Sequence, residues 1–178
     1  KLVLDTRTST TAFSNNPALC VHDYLTNSRY GRGIGAAFID TASFSAAANH
    51  CDELVSIPGG ATQKRYTCDG LISPDNGWLE NLRALLTACR GSLIFSGGTY
   101  KLVVDKAETA LAFTFNEDNI VGGWSISNAG KREKFNRVKA RFFNPDRRWQ
   151  ADIALYDSTA DRTSDNELLL EAELQLPF

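Results

Sequence analysis

The chain contains no methionine among its 178 residues. A natural reading frame starts with that residue, so the sequence is expected to be an excised or processed piece of a longer chain. It also lacks a secretion signal, and no apolar run approaches the roughly 20 residues a membrane helix needs. Histidine is scarce, with only His22 and His50. The four cysteines, Cys20, Cys51, Cys68 and Cys89, form no C-x-x-C pair, which removes the usual zinc-site spacings. A chain of this length does not need covalent staples to hold a core. The cysteines are therefore expected as buried, reduced thiols that pack like small apolar side chains. The three pairings open to four cysteines stay unranked. A large net charge is missing too: the total is -2, with no global pull toward nucleic acid or membrane.

That small total hides an uneven distribution. From Lys131 to Gln150, eight Lys/Arg stand against two acids, a local +6. From Ala151 to Phe178, seven acids stand against one Arg, a local -6. Adjacent strands or lobes that complement one another are the plain expectation. The sharper alternative is a basic surface for a polyanion.

Hydrophobic periodicity orders the rest. Lys1–Asp5 alternates as an edge strand, with Val3 facing away from Leu2 and Leu4, and the polar stretch Thr6–Asn15 reads as a loop. Asn16 caps a helix and Pro17 opens it; Pro17, Ala18, Val21, Tyr24 and Leu25 share a face, and Gly31, Gly33 and Gly35 follow. Asp40 or Thr41 caps a second helix, striped by Phe44, Ala47, Ala48, Cys51, Leu54 and Val55 and stopped at Pro58-Gly59-Gly60. Gln63–Ser73 reads as a strand with Tyr66, Cys68 and Ile72 on one side. Pro74-Asp75-Asn76 starts a third helix, lined by Leu79, Leu82, Leu85, Leu86 and Cys89 and closed by Gly91. Ser92–Ser96, Gly97-Gly98 and Thr99–Val104 spell a hairpin. Candidate strands follow at Leu111–Phe115, Ile120–Ser127, Phe135–Phe143, Ala151–Asp157 and Leu168–Leu176, with a polar stretch at Ser158–Asn166. The expected class is α+β: a three-helix and hairpin lobe over residues 1–105, then a mainly antiparallel β lobe over 106–178, the two being separate lobes or one domain.

Motifs for chemistry are weak. Gly31-Arg32-Gly33-Ile34-Gly35-Ala36 looks like a phosphate loop, but a helix precedes it where the fingerprint needs a strand; a corner is expected instead. His50-Cys51-Asp52-Glu53 crowds four ligand types onto consecutive helix residues, which point in different directions and do not converge on one ion. His22-Asp23 lacks a nucleophile signature such as G-x-S-x-G. No catalytic, cofactor-binding or metal residue is assigned. In Arg137, Lys139 and Arg141, which alternate with Val138, Ala140 and Phe142, a half-buried strand presents a cationic face. Those three residues are the candidate interface, facing a neighbouring subunit or salt-bridged to Glu171 and Glu173. Trp124 and Trp149 suit either core or interface.

Several blocks in order resemble one family. Asn16-Pro17-Ala18-Leu19-Cys20, Asp23-Tyr24-Leu25-Thr26 and Arg29-Tyr30-Gly31-Arg32-Gly33 come first. Asn49-His50-Cys51-Asp52-Glu53, Arg65-Tyr66-Thr67-Cys68-Asp69-Gly70 and Leu85-Leu86-Thr87-Ala88-Cys89-Arg90-Gly91 follow. Ser96-Gly97-Gly98-Thr99-Tyr100 and Phe135-Asn136-Arg137-Val138-Lys139-Ala140-Arg141-Phe142 complete the series. Together they resemble the tail-tip, or host-specificity, proteins of long-tailed bacteriophages of the lambda J type. The resemblance implies a fold like phage tail and baseplate hub domains, and a non-enzymatic structural role. In that family a trimer closes the distal end of the tail tube and supports host attachment and DNA delivery. The implied partners are other copies of the chain and other tail-tip proteins, with phage DNA in transit. No cofactor, small-molecule substrate or membrane contact is implied for this piece. The implied location is the virion tail tip, after assembly in the bacterial host cytoplasm. Family members are much longer, so the chain corresponds to a central piece without tube-forming or receptor-binding regions. Two alternatives remain: a tail-borne cell-wall hydrolase using His22 or His50, and a nucleic-acid-binding module using the basic 131–150 segment.

Overall fold

The computed structural model describes residues 1–57, 60–107, 113–123, 125–127, 130 and 133–176. These residues form an α+β structure with four α-helices and four small sheets. Two compact units are present, residues 1–105 and 106–175.

The first unit opens on an antiparallel pair, β1 (Leu2–Asp5) and β2 (Thr10–Phe13). Val3 is buried whereas Leu2 and Leu4 are exposed, as the alternation requires. β2 falls where a loop was expected. Its threonines favour extended backbone, and Ser9 takes the turn with φ 58°.

α1 (Pro17–Thr26) starts as the sequence predicts. The Asn16 side chain accepts from the N–H groups of Ala18 and Leu19, and Pro17 occupies the first turn. After α1 the backbone folds back on its last turn. Arg32 N–H donates to Tyr24 C=O at 3.0 Å, Gly33 N–H to Asn27 C=O at 3.1 Å, and Ile34 N–H to Leu25 C=O at 2.8 Å. The glycine run is thus a hydrogen-bonded corner.

α2 (Thr41–Asp52) is capped by Asp40, whose side chain accepts from Ser43 N–H. The helix stops three residues before the expected Val55. Glu53 turns to ψ 133° and its carbonyl accepts Arg65 N–H at 2.8 Å. Leu54–Ser56 then forms β3, antiparallel to β4 (Thr62–Lys64). Sheet pairing thereby takes Leu54 and Val55 out of the helical stripe. The proposed stop at Pro58-Gly59 lies outside the described residues.

The strand expected over Gln63–Ser73 shortens to β4. Beyond it the chain is tied through single bonds, Tyr66 N–H to Cys51 C=O and Cys68 N–H to Asn15 C=O. Tyr66, Cys68 and Ile72 still pack against the core. α3 (Trp78–Thr87) begins after Gly77, later than expected, because Ser73 Oγ accepts Asp75 N–H and holds residues 73–76 as a turn. Leu82, Leu85 and Cys89 are buried and Leu86 packs beside them, but Leu79 stays half exposed.

The positive φ after α3 belongs to Arg90 (52°), while Gly91 begins β5 (Gly91–Ser96). A Cβ on Gly91 would meet Cys89 Sγ at 3.0 Å, so close approach explains that glycine better than a helix stop. β5 pairs with β6 (Thr99–Val104) in the expected hairpin, and Gly97 and Gly98 both take positive φ. Two bonds stitch this hairpin to the start of α2: Asp40 N–H to Tyr100 C=O at 2.9 Å and Leu102 N–H to Ser43 Oγ at 3.1 Å. Leu19, Leu25, Phe44, Ala48, Leu85 and Leu102 build the shared core.

The second unit holds a three-stranded sheet in the order β8-β7-β9. β7 (Arg137–Asn144) pairs antiparallel with β8 (Gln150–Asp157) and parallel with β9 (Glu171–Gln175). The parallel pair needs a crossover, and the short helix α4 (Thr159–Ser164), capped by Ser158, lies within it. Of the two earlier candidate strands, residues 113–115, 120–123 and 125–127 carry no strand; Leu111 and Trp124 lie outside the described residues.

Candidate functional site

The candidate interface lies on β7. The pleat sends Arg137, Lys139 and Arg141 to one face and Val138, Ala140 and Phe142 to the other. Register decides what the cations meet. Arg137 stands opposite Asp157 of β8 and Glu171 of β9, and Lys139 opposite Glu173. Arg137 forks onto Asp157, with Nη2 3.0 Å from Oδ2 and Nε bonded to Oδ1. Its hydrogen bond with Asp157 holds the guanidinium above its ordinary value and the carboxyl below its own. Lys139 Nζ lies 2.5 Å from Glu171 Oε1, and Arg141 Nε pairs with Glu173. The ladder is offset by one step: Lys139 takes the acid opposite Arg137, and Arg141 the acid opposite Lys139.

Other cations of the basic segment behave alike. Lys134 pairs with Asp165, and Arg147 Nε lies 3.5 Å from Asp152 Oδ2. Among the described residues, five cations of the +6 segment, Lys134, Arg137, Lys139, Arg141 and Arg147, are therefore met by carboxylates of the -6 segment. Each exposed pair stabilises little. Their joint effect is to fix register and to lower the positive potential of the face.

Apolar side chains share this charged face. Ile153 stands opposite Arg141 and Leu155 opposite Lys139, and they are 50% and 60% exposed. Apart from Asp152, every residue of β8 is exposed, and among the described residues β8 pairs with β7 alone. A long open edge carrying exposed apolar groups is the kind of strand to which another chain adds.

One organiser of the unit escaped sequence reasoning. Asn136 is only 3% exposed. Its side chain donates to Leu168 C=O at 2.8 Å and accepts from Leu170 N–H at 3.0 Å, and its carbonyl accepts Ser158 N–H at 2.9 Å. The sequence reading placed Asn136 inside the candidate strand Phe135–Phe143, whereas β7 begins at Arg137 and the partners of Asn136 lie more than 20 residues away.

The remaining sequence candidates are dispersed. His22 is buried edge-on to Phe44, ring centroids 5.4 Å apart, and its Nδ1 has no hydrogen-bond partner. Burial pushes its pKa down. Asp23 turns elsewhere, accepting from the Tyr30 hydroxyl at 2.7 Å and pairing with Lys1. His50 Nδ1 lies 3.1 Å from Glu53 Oε2, Cys51 is in the core, and Asp52 pairs with Arg7 and Lys64. Among the described residues, no three or more His, Cys, Asp or Glu are grouped so that they could hold a metal ion.

No family model matches the chain. Over 154 residues it is 29% identical to tip attachment protein J of Escherichia phage SECphi27. That alignment takes in 84% of this chain and 13% of the phage protein, so the chain spans only a small part of its relative's length. The chain is thus similar to a segment of a phage tail-tip protein, while the lambda type in particular rests on the motifs alone.

Proposed function

We propose that the chain is a structural, non-enzymatic segment of a bacteriophage tail-tip protein of the lambda J type. The likeness to the tip attachment protein over most of the chain carries this reading. In it, the chain belongs to the hub that closes the distal tail tube, as one of three copies in the virion, and supports host attachment and DNA delivery. The β8-β7-β9 sheet is the assembly surface. Arg137, Lys139 and Arg141 hold it in register through Asp157, Glu171 and Glu173, and the Ile153–Leu155 edge meets a neighbouring copy.

The geometry supports structure over catalysis. His22 is buried beside Phe44, and His50 is engaged with Glu53. Ion pairing within the sheet favours protein assembly over polyanion binding at the same cations. A cryo-EM reconstruction of the parent particle tests the reading. Three copies at the distal end of the tail, with β8 against a neighbour, are expected; placement elsewhere in the particle contradicts it. A peptidoglycan-release assay separates the hydrolase alternative, since release that vanishes in folded His22→Ala or His50→Ala protein would overturn the non-enzymatic role.

A further inference from the structure

The four cysteines are not scattered. Cys20 and Cys68 lie beside each other, as do Cys51 and Cys89, and within each pair the neighbour lowers one thiol's pKa and raises the other's. Cys20 Sγ itself lies 4.0 Å from the Ser14 carbonyl oxygen. Backbone contacts fix the same arrangement. Cys68 N–H donates to Asn15 C=O at 2.7 Å, which clamps that segment beside the start of α1, where Cys20 sits. Cys51 closes α2 and Cys89 follows α3, and both are wholly buried in the shared core. Cys20 and Cys68 are only partly buried at its margin. Of the three pairings open to four cysteines, the contacts of Ser14 and Asn15 favour Cys20 with Cys68.

We propose that Cys20 and Cys68 are a disulfide-forming pair, closed by exchange with an external low-molecular-weight disulfide, while Cys51 and Cys89 stay reduced inside the native core. The step balances as thiol–disulfide exchange. The Cys20 thiolate attacks one sulfur of a disulfide such as oxidised glutathione and releases one small thiol. Cys68 then gives its proton to solvent and attacks Cys20 Sγ, expelling the second small thiol. The protein loses two hydrogens with their electrons, and the small disulfide is reduced to two thiols. Cys20 is the attacking partner because the neighbouring Cys68 holds its thiol below the ordinary value, whereas Cys68 itself is pushed up beside Cys20. Oxidation would then staple the first turn of α1 to the segment after β4. This inference stands on the first unit alone and does not depend on the tail-tip reading.

The test uses the whole chain under native conditions. It is incubated with oxidised glutathione, then denatured, alkylated and mapped by mass spectrometry. The expected product is lighter by about 2 Da before alkylation. It joins the peptides of Cys20 and Cys68 and leaves Cys51 and Cys89 as the two alkylated thiols. Four alkylated thiols, a lasting glutathione adduct on the wild-type chain, or a bridge between any other pair overturns the proposal. A Cys68→Ser chain is expected to keep glutathione on Cys20, having lost the thiol that expels it. If that variant stays unmodified while folded, Cys20 is not the attacking thiol.

Discussion

The Asn16 side-chain amide donates to the Ala48 carbonyl at 2.9 Å, while its oxygen caps α1. One buried side chain, 1% exposed, thus closes a helix end and ties two helices together. Asn16→Ala removes both roles and is expected to cost about 2–3 kcal/mol. Asn16→Asp keeps a capping oxygen but turns the other toward the Ala48 carbonyl, so it is expected to be no more stable than the alanine variant. Urea unfolding followed by circular dichroism measures both. Wild-type stability in Asn16→Asp would mean that the bond to Ala48 contributes nothing.

Gly31 is required by space. A Cβ there would lie 1.9 Å from the Tyr24 carbonyl oxygen and 2.8 Å from that of Asn27. Gly31→Ala must push the corner off the end of α1 and is expected to destabilise the first unit by about 3 kcal/mol. Gly35→Ala meets only Phe38 at 3.8 Å and is the control, expected within about 1 kcal/mol of wild type. Equal unfolding midpoints for the two variants would contradict this packing.

His22 makes stability depend on pH. Burial lowers its pKa from the ordinary 6.5, with the Asp23 carboxylate opposing the shift. The unfolded chain therefore takes up the proton first as pH falls. The His22 contribution is fully present above 6.5 and is lost as pH drops through that value toward the lower folded one. Thermal melts between about pH 7 and pH 5 are expected to fall in wild type and to flatten in a folded His22→Gln protein. A wild-type midpoint that rises over this range would contradict the sign.

Glu171 and Glu173 mask the cations of β7. Replacing both with Gln leaves Lys139 and Arg141 without their carboxylates. The double variant is expected to bind DNA more tightly than wild type at low salt, with a steep loss as salt rises. Fluorescence anisotropy with a labelled duplex reads this. Equal binding by both proteins would mean that the acids do not set the potential of the face.

Local signals carried much of the first unit. Asn16-Pro17, Asp40 and Gly97-Gly98 act through neighbours a few residues away, so capping and turn chemistry exposed them. The end of α2 was hidden because Leu54 and Val55 continue the helical stripe, and only pairing with residues 62–64 makes them a strand. The parallel alignment of β7 with β9 was hidden too, although the alternating cations and acids of those strands were visible. Alternation fixes a face, but not which strand lies beside it or which way that strand runs. The cysteine pairing was beyond reach for the same reason. Cys20 and Cys68 meet only after α1 and the segment following β4 are brought together in three dimensions.

Immunogold electron microscopy most directly tests the assignment to the tail tip. Antibodies raised against the purified chain are applied to the phage particles into which the proposed function puts it. Gold confined to the distal end of the tail is the expected result. Gold on the capsid or along the tail shaft, or particles left unlabelled while the disrupted virion still reveals no such chain, would contradict the account.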